Sequence, residues 1–97
     1  MSRLAQLRSE IDAVDTRIVA LLAERRRLVE KLAGEKAEAA LGSVDATRET
    51  ELVRRWASHA AREGLPDRAA IGVLEAILAE SRGHVVEAIA RARASRG

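Results

Sequence analysis

Cysteine is absent from the 97-residue sequence, and Trp56 is its single aromatic residue. The lack of cysteine excludes disulfides, thiolate nucleophiles and cysteine-based metal sites, and it fits a reducing cytosol. The lack of aromatic residues removes the stacking surfaces on which proteins commonly bind single-stranded nucleic acid. With 47% apolar residues but almost no aromatic ones, the core is predicted to be aliphatic and rich in alanine, which suits closely packed helices.

Long apolar runs are missing as well, and no signal-peptide pattern is present. We therefore expect a soluble, cytoplasmic protein that has no membrane partner. The formal net charge is only +2, because 15 acidic residues nearly balance 17 basic ones. A surface that binds nucleic acid usually has a larger basic excess, so we expect no nucleic-acid partner.

Proline and glycine divide the sequence into three helical segments, and no segment has the pattern of a strand. The predicted helices span about residues 3–40, 46–62 and 66–93. Asp45 is available as the N-cap of the second helix. Gly64 suits the end of that helix, and Pro66 suits the first turn of the third. The sequence therefore predicts an all-α fold in one domain, residues 1–97.

The predicted first helix is too long for a compact protein of this size. It would extend over roughly 50 Å, whereas a compact domain of this length has a radius of gyration of about 12 to 13 Å. Its apolar residues recur at alternating spacings of three and four, at Leu4, Leu7, Ile11, Val14, Ile18, Leu21, Leu28 and Leu32. A single chain would leave much of this seam in water, so we expect a homodimer.

Polar residues interrupt the apolar seams of two predicted helices. Arg25 stands where the first seam requires an apolar residue, and Lys36 follows about 20° around and roughly 16 Å along the same face. Ser81 interrupts the third helix in the same way, between Leu78 and Val85. Taken alone, Arg25 could extend its head group out of a dimer seam, and the two cations could be unrelated. Together, the interruptions indicate a shared pocket.

A further polar group lies at the predicted start of the second helix. Asp45, Arg48 and Glu49 are spaced three and four residues apart on one side, where backbone amides also favour an anion. Ordinary capping with a local salt bridge is the alternative. We interpret His59 and His84 as surface residues rather than ligands, and we predict no metal site.

Five stretches carry polar residues at a particular spacing: LRSEIDAVD at 7–15, LLAERR at 21–26, Lys36, DATRE at 45–49 and ESR at 80–82. Together they resemble the all-helical, type II class of chorismate mutases, and in particular its small bacterial single-domain members. The similarity spans about residues 4–85. It implies three helices per protomer, an intertwined homodimer built on the very long first helix, and two equivalent active sites that use no cofactor.

The resemblance also implies which residues hold the two carboxylates of the substrate. Arg25 and Arg48 would come from one chain and Arg8 from the other. The geometry of the first helix agrees with this division, because Arg8 and Arg25 lie roughly 25 Å apart along one helix. Both can contact one small ligand only if Arg8 belongs to an antiparallel neighbour.

The remaining roles are implied by position in the same way. Lys36 would approach the ether oxygen and a carboxylate, Glu49 and the Asp45 region would bind the ring hydroxyl, and Ser81 would bind the ring carboxylate. Arg25, Lys36 and Glu49 would act in catalysis. One position departs from the family's pattern: many members place Gln, and some Glu, where this chain has Val85, so a second donor to the ether oxygen is missing.

The implied activity is the rearrangement of chorismate, a small dianion, to prephenate in the shikimate pathway of aromatic amino acid biosynthesis. The resemblance allows for an activating partner enzyme, as for some small members. Three alternatives stay open. They are a mutase for 4-amino-4-deoxychorismate in a secondary-metabolite pathway, an isochorismate pyruvate-lyase, and a non-catalytic helical binding module.

Overall fold

A computed structural model describes residues 2–38 and 45–96, and the regular structure in both ranges is entirely helical. Helix α1 spans Arg3–Glu38, α2 spans Ala46–Glu63 and α3 spans Asp67–Arg96. This confirms the all-α prediction with a very long first helix. The predicted end of that helix, at residues 39 and 40, and the predicted loop at 41–44 lie outside the described residues. Helix α3 continues to residue 96, beyond its predicted end at 93.

The boundaries of α2 follow from local chemistry. Asp45 has extended backbone dihedrals, and its carboxylate accepts a hydrogen bond from the backbone amide of Arg48 at 3.0 Å, as an N-cap does. The helix ends at Gly64, whose φ of 70° is favourable for glycine. The amide of Leu65 then donates to the carbonyl of Ala60 at 2.8 Å, which satisfies one of the last carbonyl groups of the helix.

Helix α3 packs against both other helices and carries most of the core. In the described part of the chain, no Cα atom of α1 lies within 8 Å of one in α2. Small and aliphatic side chains form the interior, as predicted: Ala33, Ala60, Ala70, Leu74, Leu78, Val85, Ala88 and Ile89. The C-terminal part of α1 meets α3 through Ala33, with Val29 beside it. The core is therefore concentrated in one half of the molecule.

The N-terminal part of α1 extends beyond this core. Every side chain from residue 3 to residue 24 is exposed, including the apolar seam from Leu4 to Leu21, whose six members are 40–63% exposed. The molecule measures 60 × 28 × 16 Å, and its radius of gyration is 17.2 Å, against about 13 Å for a compact chain of this length. One chain alone therefore leaves the predicted seam uncovered.

Candidate active site

A pocket of about 270 Å³ opens where the C-terminal part of α1 and the start of α2 face the middle of α3. Its walls contain every residue that the sequence predicted for the site except Arg8. They are Arg25 and Lys36 from α1, Asp45, Arg48 and Glu49 from the start of α2, and Ser81 and Val85 from α3. Tertiary packing thus gathers side chains that are up to about sixty residues apart in the sequence.

Arg25 is held by Ser81 across the α1–α3 contact. A guanidinium nitrogen of Arg25 donates to the Ser81 hydroxyl at 2.5 Å, and that hydroxyl donates to the carbonyl of Ile77 at 2.8 Å. Ser81 is only 9% exposed, and its single hydrogen is already used in the hydrogen bond to Ile77 within the helix. In this arrangement Ser81 orients Arg25, and binding a carboxylate itself would require its hydroxyl to turn.

Lys36 enters the pocket from the end of α1, and Arg48 enters it from the start of α2. Lys36 lies in the last turn of α1 and is half-buried. It lines the same pocket as Glu49. Arg48 is exposed, and its guanidinium lies 4.0 Å from Glu51 one turn along the same helix. A weak, exposed pair of this kind leaves the arginine available to a stronger anionic ligand.

Glu49 forms a two-point ion pair with Arg82, a residue that the sequence analysis did not assign to the site. Arg82 Nε donates to one carboxylate oxygen at 2.9 Å and a terminal nitrogen donates to the other at 2.5 Å. These hydrogen bonds, more than the charge of Arg82 alone, lower the pKa of Glu49 and raise that of Arg82. The sequence position of Arg82 could have revealed this residue. Arg82 lies four residues after Leu78 and three before Val85, on the stripe of α3 that faces the pocket.

Val85 and Arg8 show what the pocket of a single chain lacks. Val85 is 6% exposed and packs with Ala33 and Ile89, so this part of the wall offers no hydrogen-bond donor. Arg8 lies on the exposed N-terminal part of α1 and is not among the residues that line the pocket.

The charges of the lining are unbalanced. Among the residues that the structure describes, four basic side chains, Arg25, Lys36, Arg48 and Arg82, face two acidic ones, Asp45 and Glu49. This part of the wall therefore carries a net charge of two positive, which favours an anionic ligand.

The two histidines differ from each other, and the interpretation of His84 as a surface residue is wrong. His59 is exposed, beside Arg62. His84 is 6% exposed, and its Nδ1 lies 3.2 Å from a guanidinium nitrogen of Arg26, so Nδ1 accepts and the ring hydrogen resides on Nε2. That Nε2 is buried without a hydrogen-bond partner in the described part of the chain. Burial follows from the packing of α1 over this face of α3, which no spacing between histidines and acids could reveal.

Comparison with known protein families agrees with the geometry. The sequence model of chorismate mutase type II matches residues 7–86, which is most of the chain. The chain belongs to the type II chorismate mutase family. No curated protein matches the sequence at the level that would count as a relative.

The family match includes α1 from residue 7, all of α2 and α3 up to residue 86, and therefore every residue of the pocket wall named above. Within the described residues, none of the helices is long and apolar enough to cross a membrane. No group of three or more acidic and histidine side chains in the same part of the chain is arranged to hold a metal ion.

Proposed function

We propose that the protein is a chorismate mutase, which converts chorismate to prephenate in a unimolecular rearrangement. The observation that carries this proposal is the meeting of Arg25, Lys36 and Arg48 in one small pocket with a net charge of two positive. Chorismate carries two carboxylates, so its charge is opposite in sign to that of the wall. Membership of the family supports the same activity.

In the proposed mechanism, the arginines hold the substrate in its reactive conformation. The side chain of chorismate must fold over the ring before the new carbon–carbon bond can form, and fixing both carboxylates removes the other conformers. A guanidinium binds a carboxylate at two points, which sets orientation as well as position. The hydrogen bond from Arg25 to Ser81 supports this role, because it orients the guanidinium before the substrate arrives.

Lys36 would act on the charge that develops during the reaction. The breaking carbon–oxygen bond leaves negative charge on the ether oxygen, and a positioned ammonium stabilises that charge more strongly in the transition state than in the substrate. The half-buried position of Lys36 in the pocket wall supports this assignment. Because Val85 cannot donate a hydrogen bond, Lys36 would stabilise the ether oxygen without the second donor that many family members have.

Glu49 would accept the hydrogen bond of the ring hydroxyl. Its pKa is lowered, chiefly by the hydrogen bonds from Arg82, so Glu49 is ionised at neutral pH and both its oxygens accept hydrogen bonds. Asp45 lies in the same part of the wall, where its side chain already caps α2, so its contribution would be to hold Arg48 and Glu49 at the start of that helix.

We also propose that two chains associate through α1 and that Arg8 of one chain completes the pocket of the other. The exposed apolar seam of α1 supports association, since a contiguous apolar surface of this length is unusual in a monomer. The position of Arg8 outside the pocket of its own chain supports exchange between the chains.

A purified-protein assay that follows the loss of chorismate and the formation of prephenate tests the activity. Arg25→Ala should lower kcat/KM by about a hundredfold or more, in line with the loss of a charged donor at a reacting centre. Arg27→Ala is the matched control, because Arg27 is exposed on the same helix and does not line the pocket. No acceleration of chorismate loss by the wild-type protein would refute the proposal, and release of pyruvate from isochorismate would favour the lyase instead.

A mixing experiment tests the shared site. Arg8→Ala and Arg25→Ala are each expected to be inactive, but a mixed dimer contains one pocket with both arginines intact. Co-expression of the two variants should therefore restore about a quarter of the wild-type activity, since half of the dimers are mixed and one of their two sites is complete. If Arg8 acts in its own chain, or not at all, the mixture will be no more active than the average of the two variants.

A further inference from the structure

Arg82 connects α3 to the acidic residue at the start of α2, and it does so inside the pocket. Both oxygens of Glu49 receive a hydrogen bond from one guanidinium, at 2.9 and 2.5 Å. The side chain of Glu49 is 24% exposed and that of Arg82 is 46% exposed. The other ion pairs between helices, Arg26 with Glu80 and Arg91 with Glu30, join α1 to α3 with single contacts at more exposed positions.

This pairing changes what Glu49 can offer to a ligand. Each carboxylate oxygen keeps a lone pair after accepting from Arg82, so the group can still accept from a neutral hydroxyl. Its negative charge, however, is already compensated by an adjacent guanidinium. A ligand cation placed against Glu49 would meet a neutral pair and the nearby charge of Lys36 rather than a free carboxylate.

The geometry of the ion pair points the same way. In the 4-amino analogue an ammonium replaces the ring hydroxyl, so a ligand cation bound to Glu49 would lie beside the guanidinium of Arg82 and be repelled by it. We propose that Arg82 is a specificity-determining residue that prepares Glu49 for a neutral ring hydroxyl and disfavours an ammonium at the same ring position. This inference rests on the proposed chorismate mutase activity.

The test compares kcat/KM for chorismate and for 4-amino-4-deoxychorismate in four proteins: wild type, Arg82→Gln, Arg82→Lys and Arg91→Gln. Arg82→Gln retains a hydrogen-bond donor but removes the charge, so the preference for chorismate should fall roughly fivefold, the upper end for a partly exposed ion pair. Arg82→Lys restores a cation and should retain most of the preference. Arg91→Gln removes an interhelical cation outside the pocket and should leave the preference unchanged.

Ionic strength provides a second measurement that a purely structural role would not affect. Because both members of the pair are partly exposed, salt should screen the charge effect. The difference in preference between wild type and Arg82→Gln should therefore shrink when the assay is repeated at about 0.5 M salt, where the screening length is only a few ångström.

The outcomes separate this inference from the proposed function. If the wild-type protein converts chorismate but Arg82→Gln keeps the wild-type preference, the role of Arg82 is refuted and the activity stands. If Arg91→Gln shifts the preference as much as Arg82→Gln does, the effect comes from helix packing and the inference is also wrong. If the wild-type protein converts neither substrate, the proposed function fails, and the inference fails with it.

Discussion

In the proposed mechanism, replacing Val85 by glutamine should raise the rate at which chorismate is converted. Val85 is 6% exposed and forms part of the pocket wall on α3, one turn after Ser81. The family resemblance implies that many members carry a glutamine at this position, which donates to the ether oxygen. In the proposed mechanism Lys36 alone stabilises the charge on that oxygen, and a glutamine would add an amide donor to it.

Two opposing effects set the size of the change. A fixed donor to a developing negative charge contributes about 10²–10³ in kcat, but this pocket is open to solvent and a glutamine side chain is flexible. We therefore expect a gain of about tenfold in kcat. The same substitution replaces a side chain that packs against Ala33 and Ile89, so a loss of about 1 kcal/mol in the free energy of unfolding should accompany it, at the lower end for a poorly satisfied buried amide.

The assay is steady-state turnover of chorismate by wild type, Val85→Gln and Val85→Met, with thermal melting of each protein. Methionine has nearly the length and shape of glutamine but cannot donate, so it isolates the hydrogen bond from the change in packing. An unchanged kcat in a folded Val85→Gln protein would refute the reasoning that a missing donor limits the rate. An equal gain in Val85→Met would show that side-chain volume, rather than donation, is responsible.

Two further predictions concern acid stability and capping. Because Arg82 holds the pKa of Glu49 below its ordinary value of 4.5, the ionised carboxylate stabilises the fold above that pH, and this contribution is lost as the pH falls through the lowered value. The melting temperature should therefore decrease as the pH drops below about 4.5, and it should decrease less in Glu49→Gln. Identical pH profiles for the two proteins would contradict the pairing. Asp45→Ala should lower the free energy of unfolding by about 1 kcal/mol because it removes the N-cap of α2, whereas Asp45→Asn should lose much less. Urea unfolding measures the loss of stability in each of these two variants, and equal losses would show that the cap is not the cause.

The helices of this protein could be predicted from its sequence because their causes are local. The seam from Leu4 to Leu21, the cap at Asp45 and the stop at Gly64 each depend on residues within about one helical turn. The sequence also indicated that one chain cannot cover the apolar seam of the first helix. The length of that helix and the spacing of its apolar residues are enough to show this. Part of the pocket could be predicted for a different reason, because Arg25 and Ser81 are polar residues at positions where an apolar residue would otherwise pack. The roles of Lys36, Arg48 and Glu49 were predicted from the family resemblance.

Only the tertiary structure determined which polar side chains pair with one another. The contact between Arg82 and Glu49, the commitment of the Ser81 hydrogen to Ile77, and the burial of His84 all depend on how α1 and α2 lie across α3. Sequence spacing gives the face of a helix on which a residue lies, but it does not give the rotation of one helix against the next. Because a hydrogen bond requires its two atoms within about 3 Å, that rotation decides which partners can meet.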